Sequence, residues 1–203
     1  MTSLDLSVAA VREVLAKAGP GRSHPIERTG VRASAVLAPL YDEAGTTHMV
    51  FTRRSQHLRS HRGEVSFPGG RADPDDADLE ATARREAWEE TALDPATIEI
   101  IGELDHLTTV TSRSFIVPFV GVLPGRPDLE PNPSEVEAIL HVPLPDLLDP
   151  EGFRAERWGL PGLNRPVYFF EVPGDTIWGA TAAMLVNFLA LITGTGDQHV
   201  PGA

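Results

Sequence analysis

The chain contains no cysteine. That absence excludes disulfides, thiolate metal sites and cysteine nucleophiles. Positive charge is scarce as well: 17 Lys plus Arg stand against 29 Asp plus Glu, a net charge of −12. A field of that sign repels polyanions over most of the surface, so a general nucleic-acid binder is not expected. Long apolar runs are missing. The first 25 residues have no secretory pattern, because Glu13 and Lys17 interrupt their one apolar stretch. The mostly apolar segment Ile177 to Ile192 is short for a bilayer span and reads as a buried helix, so no membrane association is expected. The chain ends in Val-Pro-Gly-Ala and not in a peroxisomal Ser-Lys-Leu, which leaves the cytoplasm as the expected location. No internal repeat is present.

What remains suits one folded domain with short extensions. The 203 residues are long enough for a proper core, and 41% hydrophobic with 23% charged residues is an ordinary balance for a globular chain. Residues 1–30 read as a helix plus lead-in, 31–194 as the main domain and 195–203 as a flexible tail. Val8, Val11 and Leu15 lie at helical spacing, with Gly19-Pro20 as the stop. Strands are expected over Ala33–Tyr41 and His48–Arg53, joined by a turn through Asp42–Thr46, and again near Val65–Phe67. Further strands are expected over Ile98–Leu107, Phe115–Leu123 and Val167–Val172, the second almost continuously apolar and therefore central. A helix is expected over Leu79–Thr91 with Asp76 or Asp78 as N-cap, a short turn or helix over Val142–Leu148, and a last helix over Trp178–Thr193. This order predicts an α/β fold, a mixed sheet with helices on both faces.

The chemistry concentrates in Arg85-Glu86-Ala87-Trp88-Glu89-Glu90-Thr91. On a helix, Glu86, Glu89 and Glu90 fall within an arc of roughly 100°. Like charges at this spacing repel. Asp94-Pro95 ends the helix near Leu93, so the three glutamates also crowd the negative pole of the helix dipole. A solvated acidic face is the bland explanation. A hard divalent cation, Mg²⁺ or Mn²⁺, would relieve both conflicts, because such ions prefer carboxylate and water oxygens.

Gly70, Asp76 and the run Arg85-Glu86-Ala87-Trp88-Glu89-Glu90-Thr91-Ala92-Leu93 together resemble the Nudix box. There a Gly is followed after five residues by Glu, and after seven more by Arg-Glu-aliphatic-any-Glu-Glu-any-Gly-aliphatic. The resemblance implies an α/β/α sandwich around a mixed sheet. It also implies a hydrolase of diphosphate-containing small molecules, with Mg²⁺ or Mn²⁺ held by Glu86 and Glu90 and Glu89 as a further ligand or supporting group. Three departures stand out: Asp76 replaces the first Glu with one extra residue before Arg85, Ala92 replaces Gly, and Ala87 is small for its position. The first bears on whether Asp76 serves the metal.

A second, narrower resemblance covers Phe51 to Gly70, which is similar to the segment preceding the box in coenzyme A pyrophosphatases: Thr-x-Arg-Ser, Leu-Arg-x-His, then Gly-x-Val-x-Phe-Pro-Gly-Gly. Trp178-Gly179-Ala180-Thr181-Ala182 is also similar to a run in that subfamily. The implied substrate is coenzyme A or an acyl derivative, and a homodimer is a family-level expectation. Four arginines and two histidines lie between Arg53 and Arg62, in a chain otherwise rich in acid. Arginine forks match phosphate oxygens, and coenzyme A carries a 3′-phosphate beyond its diphosphate. Arg53, Arg59, His61 and Arg62 are the candidate substrate-binding cations, with His61 and Arg62 expected nearest the box. The competing reading pairs these arginines with surface acids, and His57 reads equally well as a plain surface histidine.

Gly69 and Gly70, having no Cβ, would let the backbone approach phosphate or metal; a tight turn after the strand is the plain alternative, and the two are compatible. Arg85 is expected to orient the glutamates by salt bridge. The base is expected to be a box glutamate or a later carboxylate, with Glu135 the leading outside candidate and Glu137 beside it. Trp88 and Trp178 are expected to pack. Another Nudix substrate (ADP-ribose, a dinucleotide or a nucleoside triphosphate) and a non-catalytic ligand-sensing domain are the alternatives.

Overall fold

The computed structural model describes residues 4–23, 31–109, 114–158 and 166–195. Most of the lead-in and all of the tail after Thr195 lie outside them. In chain order the elements are α1 (Val8–Ala18), β1 (Arg32–Glu43), β2 (Thr46–Arg54), β3 (Val65–Ser66), β4 (Gly69–Arg71) and α2 (Leu79–Thr91). Then come β5 (Glu99–Glu103), β6 (Leu107–Thr108), β7 (Ser114–Val122), β8 (Val136–Pro143) and α3 (Leu144–Leu147). The chain continues with β9 (Phe153–Glu156), β10 (Val167–Val172), β11 (Asp175–Trp178) and α4 (Gly179–Thr193).

β1 organises the larger sheet. It pairs antiparallel with β2 and β4 and parallel with β7, from Arg32 opposite Ser114 to Leu40 opposite Val122. β5 and β6 extend β7, and β8 lies along β2, which makes the sheet mixed. The β1–β2 hairpin closes tightly because Ala44 and Gly45 both take positive φ, 50° and 81°. Two such residues give a turn whose twist matches that of the strands.

Both faces of this sheet are covered, as the element order predicts. α2 lays Ala83 and Ala87 on one face, against Ala35, Leu37, Val117 and Phe119. α1 and α4 cover the other, where Val11 and Leu15 join Leu185, Phe188 and Leu189 in one core. No helix of the described residues is long and apolar enough to cross a membrane.

Four strands escape the sequence reading. β4, β9 and β11 are short, and β8 hides behind Glu135, Glu137 and Ala138, which lower its apparent strand preference. β9, β10 and β11 form a second, three-stranded antiparallel sheet. The continuous strand expected over Ile98–Leu107 is divided, since its pairing with β7 slips between Ile100 and Gly102 and Leu104 to His106 leave the ladder. Trp88, expected to pack at the edge of the helix, is 52% exposed.

α2 is fixed at both ends by identifiable groups. The Asp78 side chain accepts the N–H of Ala81 at its start. At its end Ala92 takes the left-handed conformation, φ 57° and ψ 21°, in the place where Gly is usual. A Cβ in that conformation costs about 1–2 kcal/mol, partly offset by the smaller chain entropy lost on ordering Ala. Ala92→Gly should therefore raise stability by about 0.5 kcal/mol, read as a higher urea midpoint at unchanged m-value.

Candidate active site

Three pieces of chain meet over the C-terminal half of α2: the strand-turn at Gly69-Gly70, the end of β2, and the loop before β8. Glu86 and Glu90, one helical turn apart, both face the sheet. Glu90 is buried, and its Oε2 accepts the Gly69 N–H at 3.2 Å. Glu86 occupies the space that a side chain on residue 70 would fill; a Cβ there would lie 2.4 Å from its carboxylate. Gly70 is thus an opening made for a carboxylate.

Arg85 holds the acidic residues in place. It makes five hydrogen bonds: two to Asp76 at 2.9 Å each, one to Glu86 at 2.9 Å, one to Glu89 at 3.0 Å and one to the Arg71 carbonyl at 3.0 Å. A guanidinium has five N–H donors, so none is left for a ligand. Asp76 also accepts from Thr82 Oγ1 at 2.7 Å and from the Asp73 N–H at 2.9 Å. These partners, the Arg85 fork first, hold the Asp76 carboxyl well below the usual carboxylate range. Asp76 is therefore committed to Arg85. Glu89 is half exposed and turned onto Arg85.

The loop before β8 is stapled to the end of α2. The Glu130 N–H donates to the Thr91 carbonyl at 3.0 Å, the Asn132 N–H to the Glu90 carbonyl at 2.9 Å, and Asn132 Nδ2 to the Glu89 carbonyl at 3.2 Å. These bonds satisfy helix-end carbonyls that a Lys or Arg would otherwise serve. They also deliver Glu135, whose carbonyl accepts the Ser55 N–H at 2.8 Å. Its charge reaches both Glu86 and Glu90 and adds to their proton affinity.

Desolvation is the main reason that both glutamates bind protons more tightly than usual. Burial raises Glu86, against the pull of Arg85. Glu90 is pushed up to about 8, because its burial and the charges of Glu86 and Glu135 outweigh the Gly69 N–H and Arg54. One buried and one partly buried carboxylate that resist ionisation on their own are a fitting pair for a hard cation. Among the described residues no three His, Asp or Glu side chains form a closed cage. Mg²⁺ commonly uses one or two carboxylates and completes its shell with water and substrate phosphate, which this donor pair allows.

The basic segment divides. Arg53 is tied to Asp175 at 3.1 Å, with Glu137 at 3.8 Å, and so joins β2 to β11 and β8. His61 pairs with Glu64 at 2.9 Å, and Arg62 Nε donates to the Leu58 carbonyl. Arg59 is exposed. The cation that reaches the box is Arg54, its Nη1 3.8 Å from Glu90 Oε1, and not His61 or Arg62 as expected. The signal for it was alternation: Phe51 and Arg53 share one face of β2, Thr52 and Arg54 the other. Trp178 stacks on Phe169 with ring centroids 6.4 Å apart while remaining partly exposed.

Residues 31–160 match the family model described as the NUDIX domain. The chain is 37% identical over 163 residues to proteins named uncharacterized Nudix hydrolase NudL from Yersinia pestis and Yersinia pseudotuberculosis, covering 80% of this chain and 80% of each of those. Among solved structures, a Caenorhabditis elegans Ap4A hydrolase in a binary complex superposes with a TM-score of 0.50 at 20% identity, over 57% of this chain and 82% of that one; the likeness is one of fold. With a family model over more than half of its length, relatives matched along most of theirs, and an α/β/α sandwich that carries the box on α2, the chain belongs to the Nudix family and is a Nudix hydrolase.

Proposed function

We propose that this hydrolase cleaves the diphosphate of coenzyme A or an acyl derivative, giving 3′,5′-ADP and 4′-phosphopantetheine or its acyl form. The observation that carries this reading is the cluster of cations on β2 and the loop after it, entering the box at Arg54 in a chain of net charge −12. A substrate with a phosphate beyond its diphosphate needs positive charge beyond the metal.

In this reading Glu86 and Glu90 hold Mg²⁺ or Mn²⁺, with Glu89 as a supporting carboxylate. The ion, when bound, would neutralise phosphoryl charge and acidify a water. Arg85 keeps Glu86 and Glu89 in one orientation, so little reorganisation accompanies the reaction. Glu135 stands outside the helix, exposed to solvent and within electrostatic reach of Glu86 and Glu90, where it can take the proton of an attacking water. Arg59, His61 and Arg62 line the loop over which the 3′-phosphate would lie. Attack on phosphorus then proceeds by positioning and charge stabilisation.

A substrate panel tests the assignment: coenzyme A, dephospho-coenzyme A, ADP-ribose and diadenosine tetraphosphate, each with Mg²⁺ and with Mn²⁺. Charge-assisted hydrogen bonds to a phosphate contribute about 1.5–3 kcal/mol. Removing the 3′-phosphate should therefore lower kcat/KM by roughly 10- to 100-fold. Equal turnover of coenzyme A and its dephospho form would defeat the reading.

A further inference from the structure

Arg54 differs from every other arginine around the box. Its Nε is buried and has no hydrogen-bond partner, and Nη1 stands 3.8 Å from Glu90, beyond hydrogen-bond distance. Arg85, 31 residues on, uses all of its donors. Arg53 also has a buried Nε without a partner, but its fork is occupied by Asp175. A buried Nε–H left without an acceptor is costly, and the outer end of the same fork, on a side chain 25% exposed, stays open to one. Such a group is explained when an acceptor arrives later.

Its backbone is fixed. The Arg54 N–H donates to the Glu64 carbonyl and its carbonyl accepts the Gly63 N–H, each at 3.0 Å. The β2–β8 register slips here, Arg53 opposite Ala138 and Arg54 opposite Val136, so that Glu137 is the extra residue of a bulge. Bulges of this kind re-aim side chains beside functional sites. Here the bulge falls where Arg53 turns to the smaller sheet and Arg54 to the end of α2.

We propose that Arg54 grips the diphosphate undergoing cleavage, while the exposed cations of the following loop serve the part of the substrate beyond it. The inference rests on the diphosphatase reading of the site but not on coenzyme A as the substrate. A phosphate oxygen beside Glu90 would supply the missing acceptor, and the planar fork suits it. The basic segment is then two sites, one on the rigid end of a strand and one on the loop.

The test uses methylenediphosphonate, whose bridge resists hydrolysis, titrated calorimetrically into the full-length protein with saturating Mg²⁺. Arg54→Gln should weaken its binding at least 30-fold, Arg54→Lys by a smaller factor, and Arg62→Gln by less than threefold. Mg²⁺ affinity, titrated separately, should stay within threefold of wild type in both Arg54 variants. With natural substrates, Arg54→Gln should leave the ratio of kcat/KM for coenzyme A and dephospho-coenzyme A unchanged, because both carry the diphosphate. Wild-type analogue binding in Arg54→Gln would overturn the proposal. So would a parallel loss of Mg²⁺, which would make Arg54 only a partner of Glu90. If Arg54→Gln fails to fold, Arg54→Lys still decides, since it keeps the charge and loses the fork. Should the 3′-phosphate prove irrelevant to turnover, the coenzyme A reading fails and the analogue titration still stands or falls by itself.

Discussion

Glu90→Gln should lower kcat/KM by roughly 10³-fold, about 4 kcal/mol of transition-state stabilisation, with the fold intact. The amide is isosteric and its oxygen can still accept the Gly69 N–H that Glu90 accepts at 3.2 Å. What it loses is the anionic oxygen that a cation would require. Wild-type turnover in this variant would sink the site assignment. The same substitution should change stability in the opposite sense. The Glu90 carboxyl has an ordinary value of 4.5 and is pushed up to about 8 in the folded chain. Between those values the folded state holds a proton that the unfolded state has released. Stability must then fall as pH rises through this window, by on the order of 1 kcal/mol per pH unit, and the upward direction at Glu86 adds to the slope. Metal-free protein in a chelator should show a higher Tm at pH 5.5 than at pH 8. Glu90→Gln should flatten that difference, and Mg²⁺ should restore Tm at pH 8 in the wild type only. A metal-free Tm that climbs with pH over this range would contradict the burial argument. The stability deficit of the empty site is the counterpart of its affinity for a cation.

The second large effect is expected at the paired glycines, which look alike in sequence and differ in what surrounds them. A Cβ on residue 69 would lie 2.5 Å from the Ala35 carbonyl oxygen and 2.6 Å from Val36 Cα, backbone atoms of the central strand β1. Neither can move without disturbing the β1–β7 ladder, and φ at this position is 156°. Gly69→Ala should destabilise by about 3 kcal/mol, seen as a lower urea midpoint, with soluble yield falling in step. A Cβ on residue 70 would instead meet the tip of the Glu86 side chain at 2.4 Å. That carboxylate can swing aside at small cost in stability. Gly70→Ala should therefore remain folded, with its urea midpoint nearly unchanged, and lose most of its activity as Glu86 is displaced. Equal stability loss in both variants would show that Gly70 serves only the turn.

How much of this was legible beforehand varies by residue. The limits of α2 follow from local chemistry: Asp78 caps its start, Asp94-Pro95 forbids its continuation, and Leu79–Thr91 is the helix found. The β1–β2 hairpin is equally local, set by two strand patterns and a short turn. So is the fact that Glu86 and Glu90 share a side of the helix, since helical spacing alone requires it. Spacing could not say which side is buried. That depends on β4 and β1, whose chain positions lie 15 or more residues away, and burial in turn sets the proton affinity of Glu90 and sends Glu89 outward to Arg85. The same distinction sorts the basic segment. Composition identifies it as cationic and alternation puts Arg53 and Arg54 on opposite faces of β2, but only the distant chain that packs there ties Arg53 to Asp175 and sets Arg54 beside Glu90 without a hydrogen bond. Sequence by itself determined the helix, its acidic side and the family's box, because these rest on contacts a few residues apart. Tertiary structure alone decided which box carboxylate is dry and which arginine stands beside it, because desolvation is set by whatever distant chain happens to cover each group.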